Sequence, residues 1–113
     1  MFLSILLAVT LQPATSAPHV QCDRDATVSQ EVPPDYPQNA LGLGLGRLTA
    51  VIRVYLTPQG KIAALRVVNS TGNGEVDQAA LRSAAASTYL PRIKKCKPTF
   101  GLYLFKATFD PNR

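Results

Sequence analysis

Between Leu48 and Thr57 the chain alternates. Leu48, Ala50, Ile52, Val54 and Leu56 fall on one side of an extended backbone, and Thr49, Val51, Arg53, Tyr55 and Thr57 on the other. A period of two marks a strand with two distinct faces, so this run commits the chain to a sheet. "TPQGK" follows, with a proline and a glycine at turn spacing, and "IAALRVVNS" resumes the apolar run from Ile62, which together read as an antiparallel hairpin. Near the end "TFGLYLFKATF" alternates again: Phe100, Leu102 and Leu104 face one way, and Tyr103, Phe105, Ala107 and Phe109 the other. Between these strands "GEVDQAALRSAAAS" changes to helical spacing, with Val76, Ala80, Leu81, Ala84 and Thr88 on one broad face and Gln78 and Arg82 opposite. Its alanines favour helix and allow close approach to a sheet. Ahead of the first strand "YPQNALGLG" permits a short helix, with Pro37 in its first turn and Gly42 or Gly44 at its end. The expected architecture is α+β: a small two-layer domain of a three-stranded antiparallel sheet packed against two helices, in the order α-β-β-α-β.

The chain's 113 residues suffice for one ordinary domain and not for two cores. Hydrophobic residues make up 46% and charged ones 17%, which places it among globular and not disordered chains. The amino-terminal "MFLSILLAVTLQPATSA" is a separate matter. Its apolar run, Phe2 to Leu11, is about half the ~20 residues of a membrane-spanning helix and suits the apolar core of an export signal. Small residues at Ala14-Thr15-Ser16 favour cleavage after Ser16, because Pro18 disfavours the bond after Ala17. The expected organisation is a signal peptide over residues 1–16, an extended segment over 17–31 and one domain over 32–113. "CDRDATVSQEVPPDYPQNA", rich in proline and acidic residues, is expected to run extended over the surface.

No charged residue precedes Asp23, so the net charge of +5 belongs to what remains after cleavage. Arg92, Lys94, Lys95 and Lys97 cluster in "PRIKKCKP", which reads as a solvated loop. A nucleic-acid partner is not expected, since export removes the ligand and no aromatic residue interleaves the lysines. Cys22 and Cys96 allow a single intramolecular pairing. In an oxidising compartment a disulfide between them ties the amino-terminal extension to the segment before the last strand, contributing roughly 4 kcal/mol at most in the chain-entropy model.

"VVNSTGNGEVDQAAL" has the strand–glycine turn–helix order of a phosphate loop, but its chemistry is wrong. Gly72 and Gly74 are followed at the third position by Asp77, where a dinucleotide loop needs glycine, and no Gly-Lys-Ser or Gly-Lys-Thr follows. Glu75 and Asp77 instead compensate the unpaired amides and positive end of a helix. Catalysis is not expected. The single histidine, His19, lies in the extension, and Asp35, Glu75, Asp77 and Asp110 are scattered over loops and ends, with no pair on one strand face. No metal spacing is present and no cofactor is expected.

Taken together, "YPQNALGLGLGRLTAVIRVYLTPQGKIAALRVVNSTGNGEVDQAALRSAAASTYLP" resembles the carboxy-terminal domain of the TonB energy-transducer family. The matching features are Tyr36-Pro37 before a short helix, a hairpin turning at Gly60, the Ser70-Thr71-Gly72 turn, and Asp77 with Ala79-Ala80-Leu81. Tyr89 and Pro91 match the aromatic-x-Pro that closes the second helix in the family. The resemblance covers Val32 to about Phe109.

What the resemblance implies is a periplasmic module that captures an extended peptide by adding it to the edge of the sheet. The partner would be an outer-membrane receptor peptide or another envelope protein. The expected edge is the last strand: Phe100, Leu102, Tyr103, Leu104, Phe105, Lys106 and Ala107, with Tyr103 and Phe105 supplying selectivity. This sequence departs from a full transducer in showing neither a membrane anchor nor a long proline-rich segment, and residues 18–35 span only about 60 Å when extended. No stable membrane anchor is therefore expected, and the localisation is periplasmic or secreted. The alternative from another class is a secreted structural or self-associating domain, a homodimer that pairs its own edge.

Overall fold

The computed structural model describes residues 22–112. The expected signal peptide, its cleavage site and His19 lie outside the described residues. The elements run β1 (Thr27–Gln30), α1 (Gln38–Leu41), β2 (Leu48–Leu56), β3 (Ile62–Asn69), α2 (Gly74–Ala86), β4 (Thr88–Leu90), β5 (Arg92–Lys94), β6 (Lys97–Thr99) and β7 (Gly101–Phe109). Among the described residues the class is α+β, with two helices and several antiparallel strands.

β2 lies at the centre of the main sheet, whose order is β3-β2-β7. Its alternation sends Ala50, Ile52, Val54 and Leu56 into the core, each at most 1% exposed, while Thr49, Val51, Arg53 and Tyr55 face away. The β2–β3 hairpin closes through Thr57, whose N–H donates to the Lys61 carbonyl at 2.9 Å and whose hydroxyl accepts from the Gln59 and Lys61 amides. Gly60 has φ +79°, and a Cβ there would stand 2.8 Å from the Tyr89 carbonyl, so the turn needs glycine both for its conformation and for its contact with β4.

α2 covers one face of the sheet. It begins at Asn73, whose side chain accepts from the Val76 amide at 3.1 Å. Val76, Ala79, Ala80, Ser83 and Ala84 are its buried residues. The expected apolar face is corrected at its end: Thr88 is exposed and belongs to β4, while Ala79 and Ser83 complete the buried stripe. The helix stops because Ser87 turns extended, its hydroxyl donating to the Ser83 carbonyl and accepting from the Val32 amide. α1 is only four residues long and contributes Ala40, 1% exposed, to the core.

The expected order α-β-β-α-β was too sparse. Thr27–Gln30, read as plain extended chain, pairs antiparallel with Thr88–Leu90. The basic segment read as a loop is a hairpin, β5 paired with β6. Its two-residue turn, Lys95 and Cys96, holds both residues at positive φ, 52° and 66°, a conformation that costs roughly 1–2 kcal/mol per non-glycine residue. Three contacts hold it. Asp23 accepts from the Lys95 amide at 2.7 Å, Arg24 and Ile93 exchange backbone bonds at 2.9 and 2.8 Å, and Cys22 is joined to Cys96 in a disulfide.

Candidate partner-binding edge

β7 pairs with β2 through nine consecutive residue pairs, from Gly101 opposite Leu56 to Phe109 opposite Leu48, without a bulge. Its only strand partner among the described residues is β2, so its other side is an edge. Alternation divides its side chains. Phe105, Ala107 and Phe109 are buried at 1%, 0% and 1% exposure, whereas Leu102 and Leu104 are half exposed and Lys106 is exposed. Tyr103 is partly buried against Tyr89, ring centroids 5.8 Å apart. Phe100 precedes the strand and is exposed.

This placement changes the expected roles. Phe105 was expected to supply selectivity, but its ring fills the core and cannot touch a partner at the edge. Phe105 and Ala107 offer no side chain to the edge. Leu102 and Leu104 are the side chains a partner would meet. A shallow groove of about 500 Å³ runs beside them, lined by Asp25, Ala26, Arg92, Leu102, Tyr103 and Leu104. Sequence reasoning missed Asp25 and Arg92 in it, because β5 and the segment bound to it were not legible as structure. Gly101 lets Arg92 pack there: a Cβ at 101 would lie 2.7 Å from the Arg92 Cβ.

The β3–α2 connection holds the sheet and helix in register. The Asp77 carboxylate accepts from the Ser70 hydroxyl, from the Thr71 amide at 2.8 Å and from the Thr71 hydroxyl at 2.7 Å. Burial acts to raise the Asp77 pKa, yet these donors together outweigh it and hold the carboxyl below its ordinary value. Asp77 thus ties the turn to the helix as well as compensating the helix end. The signal that reveals this in sequence is two hydroxyl residues six and seven positions before the acid. Tyr89 is shaped by burial, which pushes its hydroxyl up to about 12, and it donates to the Ala84 carbonyl at 2.7 Å.

The family model described as Gram-negative bacterial TonB protein C-terminal matches residues 32–111. The chain belongs to the TonB carboxy-terminal family. No curated protein matches it. This family is a non-catalytic, transport-associated domain of the Gram-negative periplasm, and TonB carboxy-terminal domains interact with outer-membrane receptors and envelope proteins. Among the described residues no helix is long and apolar enough to cross a membrane. The family match starts at Val32, and the preceding Cys22–Gln30 is bound to the matched residues through β4, β5 and the disulfide.

Proposed function

We propose that this TonB-type domain captures an extended peptide of an outer-membrane receptor or another envelope protein by strand addition at the outer edge of β7. The observation that carries this reading is the unbroken nine-residue edge with Leu102 and Leu104 half exposed beside it. Main-chain groups of β7 supply affinity, and the two leucines with the Asp25–Arg92 groove supply selectivity. Phe100 and Lys106 flank the contact. The protein reaches its partner after export and removal of residues 1–16.

Amide NMR of the domain titrated with synthetic periplasm-facing peptides of outer-membrane receptors tests the reading. Shifts concentrated in Gly101–Phe109 are expected, and Leu102→Lys with Leu104→Lys, placing charges on the edge strand, should abolish them while leaving the fold intact. Shifts confined to β3, or none, would refute it. Sedimentation that shows a dimer dissociated by the same lysines would assign the edge to a second copy instead.

A further inference from the structure

On the face of the main sheet opposite α2 the strand residues carry one sign of charge, with Asp25 and Arg92 bordering it beside Leu102 and Leu104. β2, β3 and β7 contain no Asp or Glu, and their three cations are Arg53, Arg66 and Lys106. Register puts all three on this face. Arg66 and Leu104 both lie opposite Arg53, and Lys106 lies opposite Val51, two residues from Arg53 on the same strand. Arg53 and Arg66 are therefore like charges directly across a strand pair, an arrangement that destabilises a sheet unless something else offsets it. Beside them Tyr55 lies opposite Leu102, and the Arg53 guanidinium donates to the Tyr55 hydroxyl at 3.2 Å. That bond, opposed by desolvation and aided by the charges of Arg53 and Arg66, holds the Tyr55 pKa below its ordinary value. Arg66, Lys106, Leu102 and Leu104 are exposed among the described residues.

A cationic face with leucines among its charges has few suitable occupants. A second copy would set arginine against arginine. An extended peptide laid on it would leave its backbone unpaired, because the face of a sheet offers side chains and only its edges offer main-chain donors and acceptors. An anionic phospholipid surface needs no backbone pairing. It supplies phosphates to guanidinium groups and an apolar boundary to leucines.

We infer that the open face of the β3-β2-β7 sheet docks on an anionic phospholipid surface, with Arg53, Arg66 and Lys106 on headgroup phosphates and Leu102 and Leu104 at the acyl boundary. This goes beyond strand capture; the two readings share Leu102 and Leu104, but Arg53 and Arg66, on which the test below rests, take no part in strand capture.

Co-sedimentation of the full disulfide-bonded chain with vesicles of phosphatidylcholine alone, and with about one third phosphatidylglycerol, tests the inference. Binding through the apolar amino-terminal residues is common to both vesicles and cancels in their ratio. The anionic vesicles should bind more protein, and the excess should shrink as salt is raised. Arg53→Gln with Arg66→Gln should lower the excess roughly 25-fold, at about five-fold per cation, with a thermal midpoint no lower than the parent's, since the pair repels across the strands. Lys94→Gln with Lys95→Gln removes the same charge from the β5–β6 hairpin and should lower it much less. Equal binding to both vesicles, an unaffected arginine variant, or a hairpin variant as defective as the sheet variant would each overturn the assignment. Arginine-dependent binding to poly-glutamate without vesicle binding would overturn it in favour of an acidic protein segment.

Discussion

β3 and β7 flank the same central strand but divide the work of the sheet differently. β7 runs in unbroken register with β2 and drives Phe105, Ala107 and Phe109 fully into the core. β3 shifts register twice against β2, and its core-side residues Ile62, Leu65 and Val67 are only partly buried. Bulges twist and interrupt an edge, which protects it from pairing with other chains. Inner burial and outer availability thus coincide on one strand: β7 supplies the largest core side chains and also the straight edge. The same strand can do both because alternate residues point to opposite faces while the main chain lies between them.

The most severe test of that asymmetry is truncation of core residues on the two strands. Phe105→Ala should cost about 3–5 kcal/mol, since it empties a fully buried site, whereas Leu65→Ala at a partly buried position should cost about 1–2 kcal/mol. Urea unfolding of both variants measures this, and equal losses would break the comparison. Next in size is the disulfide. Replacing Cys22 and Cys96 by Ser reopens a loop with a sequence separation of 74, at an expected cost of about 2–4 kcal/mol. Hydrogen exchange should then accelerate in β5–β6 and at the start of β7 more than in β3.

Asp77→Ala should cost about 1–2 kcal/mol through the donors of Ser70 and Thr71 that lose their acceptor. It should leave peptide binding at β7 intact, as the turn joins β3 and not β7 to the helix. Its folded-state pKa is depressed, so its contribution is present above the ordinary value of 3.8 and is lost as pH falls through the lower folded value. Acid unfolding of Asp77→Asn should accordingly be less steep than that of the parent.

The smallest effect separates two tyrosines. Tyr89, packed on Tyr103 of β7, has its hydroxyl pushed up to about 12 from an ordinary 10.0, so the fold favours the protonated form. Its contribution is complete below pH 10 and is lost as pH rises towards 12. Tyr55, between β3 and β7 on the open face, is shifted the other way by Arg53. Ultraviolet titration should show Tyr55 ionising before Tyr89, and Arg53→Gln should narrow the gap.

The strands that form the main sheet were legible because they are long enough to alternate. β2 shows five core-side apolar residues in nine positions, and β7 reads as clearly. β1, β4, β5 and β6 have three or four residues each, too few to display a period; a distant pairing defines β1 and β4, and β5 and β6 define each other across a two-residue turn that Asp23 and Arg24 hold. Tyr89 illustrates this: nothing local marks it as a strand residue, but its hydroxyl bonds Ala84 and its ring packs on Tyr103. At the edge, the two-sided split of β7 was legible and its direction was not. Leu102 and Leu104 on one face are as apolar as Phe105 and Phe109 on the other, and only the position of α2 decides which pair is buried.

The bond between Cys22 and Cys96 also has a mechanical consequence. A load applied on the amino-terminal side of Cys22 enters the fold there and crosses covalently to Cys96, immediately ahead of β6 and β7. α1, β2, β3 and α2 lie inside the closed loop, off that covalent route. Roughly 250 Å of chain is withheld from extension at ~3.3–3.6 Å per residue, so a partner held along β7 would be pulled through the shortest covalent route the molecule offers.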